Sequence, residues 1–315
     1  MAFLSNRSRR PRLAPELDDV ELGKLLKRLI STTRSSAFGT TDICVAQLAR
    51  FLEESPEDFD RRTHRLSVLA GFLSESHLPA AWVTRDPRNP DALLLQAWSE
   101  LERGRTAGAL ADASSVWKKC LLVTELDPRD PGPWLVMLGV ARMERYPNSD
   151  VFAIWNEILT RDRWHREAYL SMLAYLSPDE AGSTAQMVEF IDSVRIRMPA
   201  NAPCAAVELT ADVMRYHGIV GRGGTEALLA RNHWDSPQTA AYLERAAATW
   251  CQPAFFSHAA TLADLNLLAY AMTVANKRRE AAPLFDAISG KVTAWPWRTQ
   301  GDPLAAFESA RSRTR

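Results

Sequence analysis

The stretch YHGIVGRGGTEALLARNHW, Tyr216 to Trp234, carries the spacing of a phosphate cradle: Gly218, four residues, then Gly223, Gly224 and Thr225. In such a loop glycines turn backbone N–H groups onto a phosphate while a lysine neutralises its charge. Here the lysine position holds Gly224. The preceding VELTADVMRYH reads as a helix, whereas a phosphate loop follows a strand, and no apolar strand ending in a magnesium-binding Asp occurs elsewhere. The stretch is expected to join a helix ending near His217 to one beginning near Thr225. Arg222 is placed to contact an anion, so a small-molecule or anion site at Gly218–Thr225, of a binding protein or of an enzyme, stands as the alternative reading.

Other reactive side chains assemble into nothing catalytic. The six histidines are His64, His77, His165, His217, His233 and His258, and no two have the i, i+4 spacing that puts two metal ligands on one helix face. His165 is expected at a helix start, bonded to backbone or water. Cys44, Cys120, Cys204 and Cys251 lie far apart, without a CxxC pair, and read as buried or half-buried thiols of a reducing compartment. No Ser sits in a Gly-x-Ser-x-Gly turn. The carboxylate pairs Asp18–Asp19 and Glu53–Glu54 fall on faces expected to be solvated. No catalytic, cofactor-binding or metal-binding residue is therefore assigned, and the chain is read as a non-enzyme.

Charge excludes further classes. Lys plus Arg and Asp plus Glu are each 38, so no net field draws in nucleic acid or membrane. Arg7, Arg9, Arg10 and Arg12 form a basic arm over residues 1–14, expected to be disordered; a nucleic-acid contact through it is the weaker alternative. No apolar run approaches the ~18 residues that span a bilayer, and the N-terminus lacks the apolar core of a secretory signal. A soluble, cytoplasmic protein is expected.

The elements that must position any site read as helices throughout, with no period-two strand. PELDDVELGKLLKRLI has acids first and Lys24, Lys27 and Arg28 last, which suits a helix dipole. Ser55-Pro56 and Ser177-Pro178 look like helix starts. Behind the first, Phe59, Leu66, Leu69, Ala70 and Phe72 share one stripe. Self-similar segments begin at Arg85 (RDPRNPDALLLQAW), Leu126 (LDPRDPGPWLVMLG), Arg161 (RDRWHREAYLSMLA) and Arg197 (RMPANAPCAAVELT), intervals of 41, 35 and 36 residues. Between successive copies sits a second helix, such as GALADASSVWKKCLLV and SDVFAIWNEILT, and ADLNLLAYAMTVANKRREAAPLFDAI is two helices about a basic turn. One hairpin cannot bury its apolar face alone, so an all-α solenoid is expected: a right-handed array of antiparallel helix pairs. Gly139, Ala174 and Ala269 take equivalent small positions where paired helices approach closely. The pattern resembles tetratricopeptide repeats in a divergent form.

A narrower resemblance covers roughly residues 85–297. Phe152, Trp155, Glu157 and Arg161, then Ala168, Leu173 and Tyr175, Gly182-Ser183, Met187, Phe190 and the turn Pro199–Pro203 look like an uncharacterised actinobacterial domain-of-unknown-function family with a tetratricopeptide-like fold. Asn266, Ala269, Leu284-Phe285, Ile288 and Gly290 continue it, with a tryptophan at 295 or 297. The resemblance implies a fold and no activity. The chain departs from it at Tyr169, where such proteins tend to have His, and at Asp179-Glu180, where they tend to have Lys-Trp. Those polar positions are the ones to suspect of function.

The expected organisation is a basic arm (1–14), N-terminal helices packing on the array (15–84), helical repeats (85–290) and a capping segment (291–315). Trp295 and Trp297 in that segment either pack or contact a partner. The first helix of each pair should line a concave face carrying Ser99, Glu144, Ser171, Tyr175, Asn266 and Tyr270. Ser171/Tyr175 and Asn266/Tyr270 are i, i+4 pairs. The expected function is to bind an unidentified protein or peptide there, without cofactor.

Overall fold

Local signals in the sequence set many helix starts. The computed structural model describes residues 10–33, 39–53 and 58–314. It is all-α, with sixteen α-helices among the described residues and strand limited to one two-residue parallel pairing. None of these helices is long and apolar enough to cross a membrane. The chain divides into a central unit, Asp19–Ser183, and a terminal unit built from the residues before and after it.

The central unit holds α1 (Val20–Thr33), α2 (Thr40–Glu53), α3 (Phe59–Phe72), α4 (Leu78–Arg85), α5 (Pro90–Ala107), α6 (Ala113–Leu126), α7 (Gly132–Met143), α8 (Asn148–Arg161) and α9 (Arg166–Tyr175). Asn89 accepts from Ala92 N at 3.0 Å with Pro90 at the first position, and Asp112 accepts from Ser115 N at 2.8 Å. Gly108 (φ 83°) ends α5 in the left-handed region. Turns this short fold α5 back on α6 and α7 back on α8, and both pairs pack together. Leu94, Ala97, Leu138 and Ala141 bury completely along α5 and α7, each leucine worth about 1.5–3 kcal/mol.

Several boundaries differ from expectation. Helix α1 starts at Val20 rather than Pro15, because Asp19 caps it by accepting from Leu22 N at 2.9 Å. Asp19 is also buried, not solvated, and accepts from Arg65 Nε at 2.7 Å. Arg65 in turn lies 4.3 Å from the Phe51 ring centroid. Helix α3 starts at Phe59 under an Asp58 cap, while the expected cap Ser55 lies outside the described residues, as does Glu54. Leu66, Leu69 and Ala70 are buried as read, but Phe72 is 42% exposed. Arg62 of the same helix is buried and ion-paired with Asp91 and Asp130, joining α3 to α5 and to the turn before α7. Ser177 starts no helix: residues 177–183 form a turn.

The terminal unit holds β1 (Arg12–Leu13), α10 (Thr184–Arg195), α11 (Val207–Arg222), α12 (Gly224–Leu229), α13 (Pro237–Thr249), α14 (Thr261–Val274), α15 (Arg278–Ile288), β2 (Lys291–Val292) and α16 (Pro303–Ser312). The described end of the basic arm is ordered by pairing: Arg12 N donates to Gly290 O and Ala14 N to Val292 O, both at 3.0 Å. Arg7 and Arg9 lie outside the described residues. Trp297 is fully buried, edge-on to Tyr270 and Phe307, so it is core packing. Trp295 is half-buried against the same core.

The glycine stretch is more helical than its composition suggests. Helix α11 runs past His217 and through Gly218 and Gly221 to Arg222. Only Gly223, with φ of 70°, separates it from α12, whose first residue Gly224 has φ of 62°. Helix lies on both sides, but there is no open loop to cradle a phosphate, and Arg222 pairs with Glu226 at 2.7 Å.

Candidate functional site

The C-terminal ends of α5, α7 and α9 enclose a cavity of about 770 Å³ in the central unit. Helix C-termini expose unpaired carbonyls and favour cations, and the cavity wall carries Arg105, Arg142 and Arg145. Arg142 Nε donates to Glu180 Oε2 at 3.0 Å, and its Nη2 also pairs with that carboxylate. Arg105 Nη1 donates to Glu102 Oε1 at 2.6 Å. Arg145 is exposed, stands at φ 53°, and makes no ion pair among the described residues. Its guanidinium is available to a ligand, as is the exposed Asp179 carboxylate across the wall.

Two glycines shape this cavity. A Cβ on Gly139 would stand 2.5 Å from Leu101 Cδ2 and 3.1 Å from Arg105 Nη2. Its smallness therefore serves the contact with α5, the first helix of the preceding pair, and leaves room for the Arg105 head. A Cβ on Gly182 would stand 2.1 Å from the Leu176 carbonyl oxygen. Gly182 N donates to Ser177 O at 3.1 Å, closing the turn that presents Asp179 and Glu180.

Tyr175 lines the cavity and donates its hydroxyl to Asn148 Oδ1. Burial, with the charge of Glu180 second, pushes the phenol upward, so it stays a neutral donor. Three arginines, two tyrosines, Asn148 and the Asp179-Glu180 pair can hold backbone and carboxylate groups of an extended chain. No histidine, cysteine or serine lines this wall.

The six residues expected on a partner face separate. Tyr175 is in the cavity; Glu144 caps α7 beside Met143 and Arg145, exposed at the rim. Ser171 is half-buried one turn before Tyr175. Ser99 is buried at 2% exposure. Asn266 and Tyr270 belong to the terminal unit and are buried, contrary to the expected open face. Asn266 donates to Leu262 O and Lys291 O and accepts from Trp297 Nε1 at 3.1 Å, and the Tyr270 hydroxyl meets His217 Nε2 at 2.8 Å. Their i, i+4 spacing serves internal bonding.

His165 is a helix-start histidine as read: Nδ1 accepts from Ala168 N at 3.3 Å. Of the suspected departures, Tyr169 is buried and donates to Arg163 O, whereas Asp179-Glu180 reach the cavity. Arg105, Arg142, Arg145 and Asn148 were missed, because charged and polar residues at helix ends read as solvated. Three arginines falling at the ends of two successive first helices, Arg105 at α5 and Arg142 and Arg145 at α7, were the available signal. Among the described residues no group of three His, Cys, Asp or Glu side chains could hold a metal ion.

No family model matches this chain, and no curated protein or solved structure matches it significantly.

Proposed function

We propose that this chain is a non-enzymatic binding protein, a divergent tetratricopeptide-like array of helix pairs whose central-unit cavity takes an extended acidic segment of another protein. The observation that carries this reading is Arg145 standing unpaired in the wall of a 770 Å³ cavity beside Arg105, Arg142 and Tyr175. Guanidinium groups hold carboxylates by planar, bidentate bonds, and the tyrosine offers an apolar ring with a polar tip. Inner-helix residues forming the site suit a repeat array, in which stacked pairs share a core and leave one face for ligands. The resemblance to an actinobacterial repeat-like family fits the same reading. So does a reducing, cytoplasmic setting, in which Cys44, Cys120, Cys204 and Cys251 stay as free thiols.

Selection from a random peptide display library on the full chain tests it. Sequences rich in Asp and Glu should be enriched, and enrichment should collapse on the Arg142→Ala/Arg145→Ala variant. Enrichment of basic or purely apolar sequences, or the same acidic pool on wild type and variant, contradicts the reading.

A further inference from the structure

The terminal unit encloses a second cavity, of about 400 Å³, between α10, α11, α13 and the 230–233 turn. Glu208, Asp212 and Arg215 project into it from successive turns of α11, opposite Arg195 of α10. Arg195 is already engaged. Its Nη1 reaches Asp192 Oδ1 at 3.1 Å and its Nη2 reaches Glu208 Oε1 at 2.8 Å. Gln238, with its amide oxygen turned toward Arg195, accepts from Nη1 at 2.7 Å.

Asp212 is served less well. Apart from His233, its only cation within ion-pair distance among the described residues is Arg215, at 3.5 Å and 38% exposed. The His233 side chain is 6% exposed, lines the cavity, and has Nε2 3.7 Å from Asp212 Oδ1. That separation is beyond a hydrogen bond, and Nε2 has no hydrogen-bond partner among the described residues. Leaving a buried polar atom unbonded costs about 1–3 kcal/mol. Burial, and then Arg215, lower the imidazole to about 4, so the neutral ring gives Asp212 no counter-charge. Burial likewise raises Asp212 to about 6. Met187, Ile191 and Ala211 supply an apolar wall beside this polar pair.

We propose that this cavity binds a small aliphatic amine as its ammonium, which donates N–H groups to Asp212 Oδ1 and His233 Nε2 while its hydrocarbon body lies on Met187, Ile191 and Ala211. An ammonium carries three donors and no acceptor, and one nitrogen about 2.8 Å from each atom spans their separation. An inorganic anion would meet Glu208 and Asp212. The proposal does not depend on the peptide-binding reading of the central unit.

Calorimetric titration of the full chain at neutral pH tests it, with butylamine and diaminobutane as probes and butan-1-ol and inorganic phosphate as controls. Wild type should bind both amines saturably and the two controls at least about tenfold more weakly. Asp212→Asn should weaken butylamine about tenfold or more, because the negative charge is removed, and His233→Leu about fivefold, because one acceptor is removed. Circular dichroism establishes that each variant is folded; should Asp212→Asn fail to fold, His233→Leu decides. Absence of amine binding to wild type, wild-type affinity in the folded variants, or tighter binding of phosphate overturns the proposal.

Discussion

Arg145 and Asp212 are single residues whose charge the fold leaves incompletely matched, and each gives a test at its own scale. Asp212 titrates near 6 in the folded chain, against 3.8 for an ordinary carboxyl, because burial penalises its charge. The folded state therefore holds this proton more tightly than the unfolded state, and Asp212 makes stability fall as pH rises from about 4 to about 6. His217 and His233 act the other way. Burial lowers both from 6.5 to about 4, so the unfolded chain takes up their protons first and stability rises as pH rises from about 4 to about 6.5. Asp212→Asn removes only the falling component. Urea unfolding at pH 4 and pH 7 should show this variant gaining about 2–3 kcal/mol on wild type across that interval; a pH-independent difference would refute the assignment. Arg62 is the converse case, a buried cation between Asp91 and Asp130. Arg62→Ala strands both carboxylates and should cost about 3–5 kcal/mol in urea unfolding at neutral pH, whereas a loss below about 1 kcal/mol would mean the network relaxes.

At the scale of elements, the turns decide whether the central cavity exists. Gly182 sits against the Leu176 carbonyl, where backbone and not a flexible side chain blocks a Cβ. Gly182→Ala should displace the 177–183 turn, break the Arg142–Glu180 pair and lower stability by more than about 2 kcal/mol. Gly139→Ala meets the end of the Leu101 side chain and should cost about 1–3 kcal/mol. Thermal unfolding of the two variants checks this order, and equal losses would contradict it. Helix existence was legible in the sequence because capping side chains are local signals: His165 starts its helix as expected, whereas Ser177-Pro178 carries the same kind of local signal and starts none. Asp19 was misread because its use as a cap and as the partner of Arg65, 46 positions away, depends on tertiary packing. Helix α11 outran its expected end because glycine weakens a helix by about 1 kcal/mol, which packing and the rest of the helix can outweigh.

For the whole molecule, the all-α class was legible and the location of its cavities was not. Tyr175 and Gly139 stood out in the sequence as an aromatic and a small residue at repeat-equivalent positions. Asn266 and Tyr270 share that pattern yet bury their polar atoms, because the segment around Trp297 folds back onto α14, a long-range contact that periodicity does not encode. Glu208 and Asp212 are not singled out by the sequence, because their burial depends on α13 and the 230–233 turn, which come later in the chain. The neutral overall charge makes a local role for arginine readable, since no global field would attract an acidic partner. The most direct measurement is the fluorescence anisotropy of a labelled acidic peptide, taken from the display selection, against its Asn/Gln analogue. The acidic peptide should bind wild type at least about tenfold more tightly than the analogue. Arg145→Ala should weaken it about fivefold to tenfold, and added salt should weaken it further. Equal binding of the two peptides, or an unchanged affinity in Arg145→Ala, would contradict the assignment of the central cavity as an acidic-peptide site.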